Sequence, residues 1–203
     1  YTGSGIYRHA WLQVTNPVHV ATYGTYVTTP SVSEDKAEIR IMTTLENELK
    51  KVQTVSISHL ILDNQGKIVA KSGTEKTLFE AGQSIKITQN LTLNYPRLWT
   101  LEKPELYTLE TTVKANGKVT DLYKTPFGIR TIAFDSEKGF LLNGKQVKLK
   151  GMCLHQDAGS LGTAVLDRSY ERRLEIIKEY GCNAIRCSHN QPSPEFLDMC
   201  DRM

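Results

Sequence analysis

At 203 residues, with 39% hydrophobic and 23% charged side chains, the chain has the ordinary globular balance and length for one large domain or two smaller ones. Its net charge of +3 comes from lysines and arginines interspersed with acids, in no run longer than a pair such as Lys50-Lys51 or Arg172-Arg173. That excludes an electrostatic footprint for nucleic acid. No apolar run approaches the roughly 20 residues of a membrane-spanning helix, so a soluble protein with no membrane partner is expected.

The opening "YTGSGIYRHAWLQV" lacks the charged start and apolar stretch of a signal peptide; any export signal is expected upstream. It reads as a Gly-rich lead-in to a strand, with Trp11 a core or domain-interface residue. The segments "HVATYGTYVTTPSV", "AEIRIMTTLEN", "QTVSISHLILD" and "QSIKITQNLTL" alternate with period two and are rich in Val, Ile, Thr and Tyr, which predicts strands. Turn chemistry separates them, at "DNQGK", "EAGQ", "NYPRLW" and "ANGKV", the last an Asn-Gly suited to a two-residue hairpin. Trp99, set among Leu98, Leu106 and Leu109, reads as a packed residue rather than a carbohydrate platform. About seven strands over 18–128 predict an antiparallel sandwich of immunoglobulin type.

Near residue 135 the texture changes. "GFLLNGKQVKLKGMCLH" holds a second hairpin signal, Asn143-Gly144, and then a strand that runs into the loop "QDAGSLGTA". A helix follows, with Asp167 or Ser169 as its cap, Tyr170, Leu174 and Ile177 on one face, and Gly181 as its stop. "NAIRCS" reads as a short buried strand, and Ser193-Pro194-Glu195 opens a second helix. Strand, loop, helix, strand, loop, helix is the grammar of a parallel β/α fold. Two such units close neither a barrel nor a doubly wound sheet, so open strand edges are expected in this stretch.

Cys153, Cys182, Cys187 and Cys200 all fall in the last quarter of the chain. That argues against a disulfide framework and for buried free thiols, leaving the redox compartment open. Cys153/His155 and Cys187/His189 are two Cys-x-His pairs at strand ends; were the strands parallel neighbours, they would offer a Cys₂His₂ set for zinc, without the usual Cys-x₂₋₄-Cys spacing. Alternatively His155, Asp157, Arg186, His189 and Asn190 stand as polar residues at the mouth of a parallel barrel, where donors and acceptors suit a polyhydroxylated ligand. A purely structural reading, with Arg186 on an internal carboxylate and the histidines satisfied in a core, competes with it. No Gly-x-Ser-x-Gly elbow, phosphate-cradling loop or evident carboxylate pair is present.

"GSGIYRHAWL", "PRLWTLEKPELYTLET", "FGIRTIAFDSEKGFLLNGKQVKLKGMCLHQD" and "YGCNAIRCSHNQPSPEFLDMCDRM" together resemble glycoside hydrolase family 2, especially its β-galactosidase-like members. The resemblance implies a mainly β chain. Residues 1–15 would be the terminal strand of an upstream jelly-roll sugar-binding domain, 16–128 an immunoglobulin-like β-sandwich, and 129–203 the first, incomplete units of a (β/α)₈ TIM barrel. It implies retaining hydrolysis of terminal β-glycosidic bonds, galactosides foremost, by two glutamates on later barrel strands beyond Met203, so no catalytic residue is expected here and the stretch alone should be inactive.

The same resemblance makes His155 and His189 sugar-contacting residues and Arg186 the neighbour of the nucleophilic glutamate. Asp157 and Asn190 match variable positions. Gln191 stands where the family often has Tyr or Pro, which bears on the leaving group. The implied partner is a carbohydrate, with a homo-oligomer and a divalent or monovalent cation as options for the full-length enzyme. A sandwich acting as spacer without sugar contact, and the zinc module, are the competing functions. Which sugar, and a periplasmic, secreted or cytoplasmic location, are left open.

Overall fold

The computed structural model describes residues 5–73 and 76–203. Contacts divide it into Val14–Thr131 and a second unit joining the described residues up to Gln13 with Ile132–Met203.

The first unit holds β1 (Val18–Val32), β2 (Lys36–Asn47), β3 (Gln53–Leu62), β4 (Ile68–Gly73), β5 (Thr77–Phe79), β6 (Ser84–Asn94), β7 (Tyr107–Ala115) and β8 (Lys118–Phe127). They form two antiparallel sheets, β1-β2-β6 and β4-β3-β7-β8, with β5 pairing β3. Period-two alternation decides which side chains face inward. Along β2 the buried row is Ala37, Ile39, Ile41, Thr43, Leu45 and Asn47, and along β3 it is Gln53, Val55, Ile57, His59 and Ile61. Asn116 and Gly117 both take positive φ, 50° and 83°, as a two-residue type I′ hairpin requires. In "DNQGK", the Asp63 carboxylate accepts from the Gln65 and Lys67 amides. The Lys67 amide bond, with Gln65 and the Arg97 charge also contributing, holds its pKa below the usual carboxylate range against a smaller desolvation effect.

Among the described residues eight strands, one more than expected, therefore make the sandwich; β5 is three residues long and gives no periodic signal. Ile129 is fully buried in its core, so the sandwich runs past residue 128. Trp99 packs on Gly128, where an added Cβ would come within 2.9 Å of it, and the Arg130 guanidinium lies 4.8 Å over its ring. Trp11, by contrast, is 78% exposed and not core, because residues 5–17 form no strand. A strand needs a ladder of backbone partners, and among the described residues no strand pairs with this stretch. Residues 1–4 of the opening segment lie outside the described residues.

The core is split by polar residues. One apolar cluster gathers Ala37, Ile39, Ile41, Ile61, Leu91, Leu109 and Ile129, the other Val18, Val20, Leu45, Val55, Ile57, Phe79 and Val113. Between them on β2, β3 and β7 lie Thr43, His59 and Thr111, all but fully buried. His59 Nδ1 and Thr111 Oγ1 are 3.0 Å apart on directly opposite residues. Burial lowers the His59 pKa to about 4, so the ring is neutral in the folded chain.

The second unit contains β9 (Ile132–Asp135), β10 (Gly139–Leu142) and β11 (Lys145–Gln146) as a small antiparallel sheet. After it come β12 (Gly151–Leu154), α1 (Asp167–Glu179), β13 (Ala184–Cys187) and α2 (Pro194–Arg202). Asn143 and Gly144 repeat the two positive φ values of a type I′ turn. The α1 cap is Leu166, with no side-chain bond, rather than Asp167 or Ser169; Asp167 instead sits in the first turn, 3.0 Å from His9 Nε2. Gly181 at φ +77° ends α1, with its amide on the Lys178 carbonyl and the Cys182 amide on that of Ile177, the Schellman pattern. Ser193 caps α2 by accepting from the Phe196 amide. Among the described residues no helix is long and apolar enough to cross a membrane.

His59 gives a pH signature. The unfolded ring binds a proton below about 6.5 and the folded ring only below about 4, so stability contributed by the neutral ring is full above pH 6.5, falls between those values and levels off below. The loss is about 3 kcal/mol. Urea unfolding from pH 7 to pH 4 is expected to show that fall in the native chain, and a fall smaller by about that amount in His59→Gln, which keeps a hydrogen bond but does not titrate.

Candidate functional site

The site is built on two short parallel strands. In β12 and β13, Gly151, Met152, Cys153 and Leu154 lie opposite Ala184, Ile185, Arg186 and Cys187. Gly151 permits this approach, because a Cβ there would stand 2.3 Å from the Ala184 carbonyl oxygen. Asn183 fixes the register from the other side: its Oδ1 accepts from the Lys150 amide at 2.8 Å and its Nδ2 donates to the Lys148 carbonyl at 3.1 Å. At the far end the Ser188 amide donates to the Leu154 carbonyl.

Alternation then sorts the side chains. Leu154, Ile185 and Cys187 pack against Tyr170 and Leu174 of α1 and Phe196 and Met199 of α2, with the Tyr170 and Phe196 rings edge-on at 5.4 Å. Cys153 and Arg186 project from the opposite face, Arg186 Nη1 lying 3.7 Å from Cys153 Sγ. Beyond the strand ends the chain turns His155 and His189 together, ring centroids 5.5 Å apart and edge-on. Ser188 Oγ lies 3.3 Å from His155 Nε2.

The five residues singled out from sequence fare differently. His155 and His189 are brought into contact, and both are exposed, so neither is a satisfied core histidine. Arg186 is exposed and turns toward a thiol rather than an internal carboxylate. Asp157 is exposed, and its backbone carbonyl accepts from Arg173 at 2.5 Å. Asn190 is half-buried with its Oδ1 enclosed and without a hydrogen-bond partner, an acceptor that a hydroxyl donor would satisfy.

The zinc set does not form. Its convergence required Cys153 and Cys187 on one face, but the register pairs Cys153 with Arg186, which puts the thiols on opposite faces of the ladder. All four thiols are free, as expected, yet none is fully buried, and Cys153 is exposed on the face that α1 and α2 do not cover. Burial, with lesser contributions from Asp201 and Cys187, pushes Cys200 up to about 11, which keeps that thiol protonated and unreactive near neutrality. Sequence reading missed Ser188, Asn183 and Gly151. Position next to a short strand was their only signal.

Strand, helix, strand, helix with polar side chains at the carboxyl ends of the strands is the arrangement with which a parallel β/α barrel begins. Residues 18–130 match Glycosyl hydrolases family 2, and residues 134–203 match the TIM barrel domain of the same family; the chain belongs to glycosyl hydrolase family 2. It is 50% identical over 203 residues to the β-galactosidase BoGH2A of Bacteroides ovatus, covering all of this chain and 24% of that protein. A β-glucuronidase of Bacteroides fragilis is 31% identical over 204 residues, 98% of this chain and 29% of its own length. The crystal structure of a family 2 member from Bacteroides cellulosilyticus superimposes with a TM-score of 0.93 at 42% identity, over the whole of this chain and 26% of that one. The chain thus spans about a quarter of these relatives.

Because Gly151 sets the approach of the strands, Gly151→Ala forces β12 and β13 apart. We expect cross-strand NMR contacts between Cys153 and Arg186, and the contact between the His155 and His189 rings, to be lost, with about 1–3 kcal/mol of local stability. Retained contacts and unchanged stability would show that the ladder does not depend on this approach.

Proposed function

We propose that this chain contributes the sandwich and the first sugar-facing shell of a retaining β-glycosidase that acts on terminal β-linked sugars, β-galactosides foremost. One observation carries the reading: the edge-on pair His155 and His189 at the carboxyl ends of adjacent parallel strands. Two exposed imidazoles there, each with ring nitrogens able to donate or accept, suit neighbouring sugar hydroxyls. The name of the 50% identical relative favours galactose over glucuronate.

In the proposed reaction one glutamate attacks the anomeric carbon while another protonates the leaving oxygen; water then resolves the glycosyl-enzyme, the glutamate that gave up its proton now acting as base and the nucleophilic carboxylate leaving. This chain's part is to orient. His155 and His189 hold the sugar hydroxyls, Ser188 steadies the His155 ring, and Arg186 supplies a positive charge that keeps a neighbouring carboxylate ionised and ready to attack. Asn190 offers an acceptor and Asp157 a carboxylate at the rim, both to hydroxyls of the substrate. The two glutamates belong to later strands, so the 203-residue stretch alone is inactive in this reading.

The test is hydrolysis of a nitrophenyl β-galactoside. The stretch alone is expected to show none above a blank, and in a protein containing it His155→Ala is expected to lower kcat/KM on the order of 100-fold. Turnover by the stretch alone overturns the assignment of chemistry to later strands; an unchanged kcat/KM in His155→Ala overturns the sugar-facing role.

A further inference from the structure

The sandwich carries a second cluster of metal-ligating side chains, at one end of the β1-β2 pair. His19 and Glu46 are directly opposite on the antiparallel strands, and Glu48, two residues on from Glu46, projects to the same side. One donor atom from each of His19, Glu46 and Glu48 lies within 4.8 Å of the others.

His19 stands on the opposite face of β1 from the core residues Val18 and Val20, where an imidazole is ordinarily solvated, yet it is only 6% exposed. Its Nδ1 is enclosed with no hydrogen-bond partner, and its Nε2 faces the Glu46 carboxylate, Oε2 at 3.4 Å. This buried imidazole thus has no hydrogen bond holding it at Nδ1, and it presents Nε2 to a carboxylate across a gap that a cation can enter. The 3.4 Å spacing is also the separation of two ligands that each lie about 2.1 Å from a tetrahedral ion, which is about 3.4 Å.

The backbone beneath the carboxylates is held still. Asn47, between them and facing the core, donates its side-chain amide to the carbonyls of Lys51, Phe79 and Glu80 and accepts from the Leu49 amide. The Glu48 amide donates to the Pro17 carbonyl at 2.8 Å. The donor atoms are therefore presented by a fixed frame, as a metal site needs.

We infer that His19, Glu46 and Glu48 form a binding site for a divalent transition ion of the zinc class, which clips β1 to β2. One imidazole and two carboxylates suit Zn²⁺ better than the all-oxygen sets of Ca²⁺ or Mg²⁺, and three protein ligands leave a fourth position for water.

Zn²⁺ itself is the probe, titrated by calorimetry into the 203-residue chain and into His19→Gln and Glu48→Gln, with thermal unfolding in parallel. The native chain is expected to bind one ion more than His19→Gln. Glu48→Gln is expected to weaken that site about tenfold or more, and the rise in Tm on adding Zn²⁺ is expected to be larger in the native chain than in either variant. Sites formed by the four thiols survive both substitutions and so cancel in the comparison. Where His19→Gln fails to fold, Glu48→Gln decides, because Glu48 is exposed and its replacement leaves the fold intact. Equal stoichiometry, affinity and Tm response in the folded chains overturn the site.

Discussion

The close passage of Gly151 beside the Ala184 carbonyl is the contact on which the site depends. With no side chain at 151, β12 and β13 lie in one parallel register, held at its entrance by the two side-chain bonds of Asn183. That register decides the chemistry. It sends Leu154, Ile185 and Cys187 to the helices, leaves Cys153 and Arg186 on the other face, and delivers His155 and His189 to the same end. A slip of one residue would exchange the faces and bury the guanidinium among the aromatic rings of the helices.

The sandwich is organised on a different principle. Most of its strands are long, paired on long stretches, and anchored by two apolar clusters separated by the Thr43, His59 and Thr111 seam. Uncharged polar groups in that seam cost stability that the apolar burial on either side offsets. Asn47 and His19 extend the same theme: buried polar side chains specify how the strand ends meet, where alternation alone does not.

Much of this was legible in the sequence, and the failures share one cause. Alternation in "AEIRIMTTLEN" and "QTVSISHLILD" read directly into β2 and β3, and both Asn-Gly pairs folded into turns that demand positive φ. These are local properties. The zinc set failed because residues two apart on a strand share a face whatever their neighbours do, whereas the alignment of one strand against the next is non-local. Trp11 is not core because among the described residues no strand pairs with its segment, and β5 went unread because three residues show no period. His155 and His189 were grouped in the sequence by their places at two strand ends, and their rings do meet; only the sugar-contacting role came from the likeness of "GMCLHQD" and "IRCSHN" to a family. No spacing joins His19 to Glu46 and Glu48, which meet only through strand pairing.

Native-state amide exchange on the 203-residue chain measures most directly whether the sandwich holds itself while the short parallel ladder is open at its edges. Amides of Ile41, Ile57 and Leu109 are expected to exchange only through global unfolding, and those of Met152, Cys153, Ile185 and Arg186 about 100-fold faster or more through local opening. Uniformly slow exchange across 146–203, equal to that of the sandwich, would contradict it.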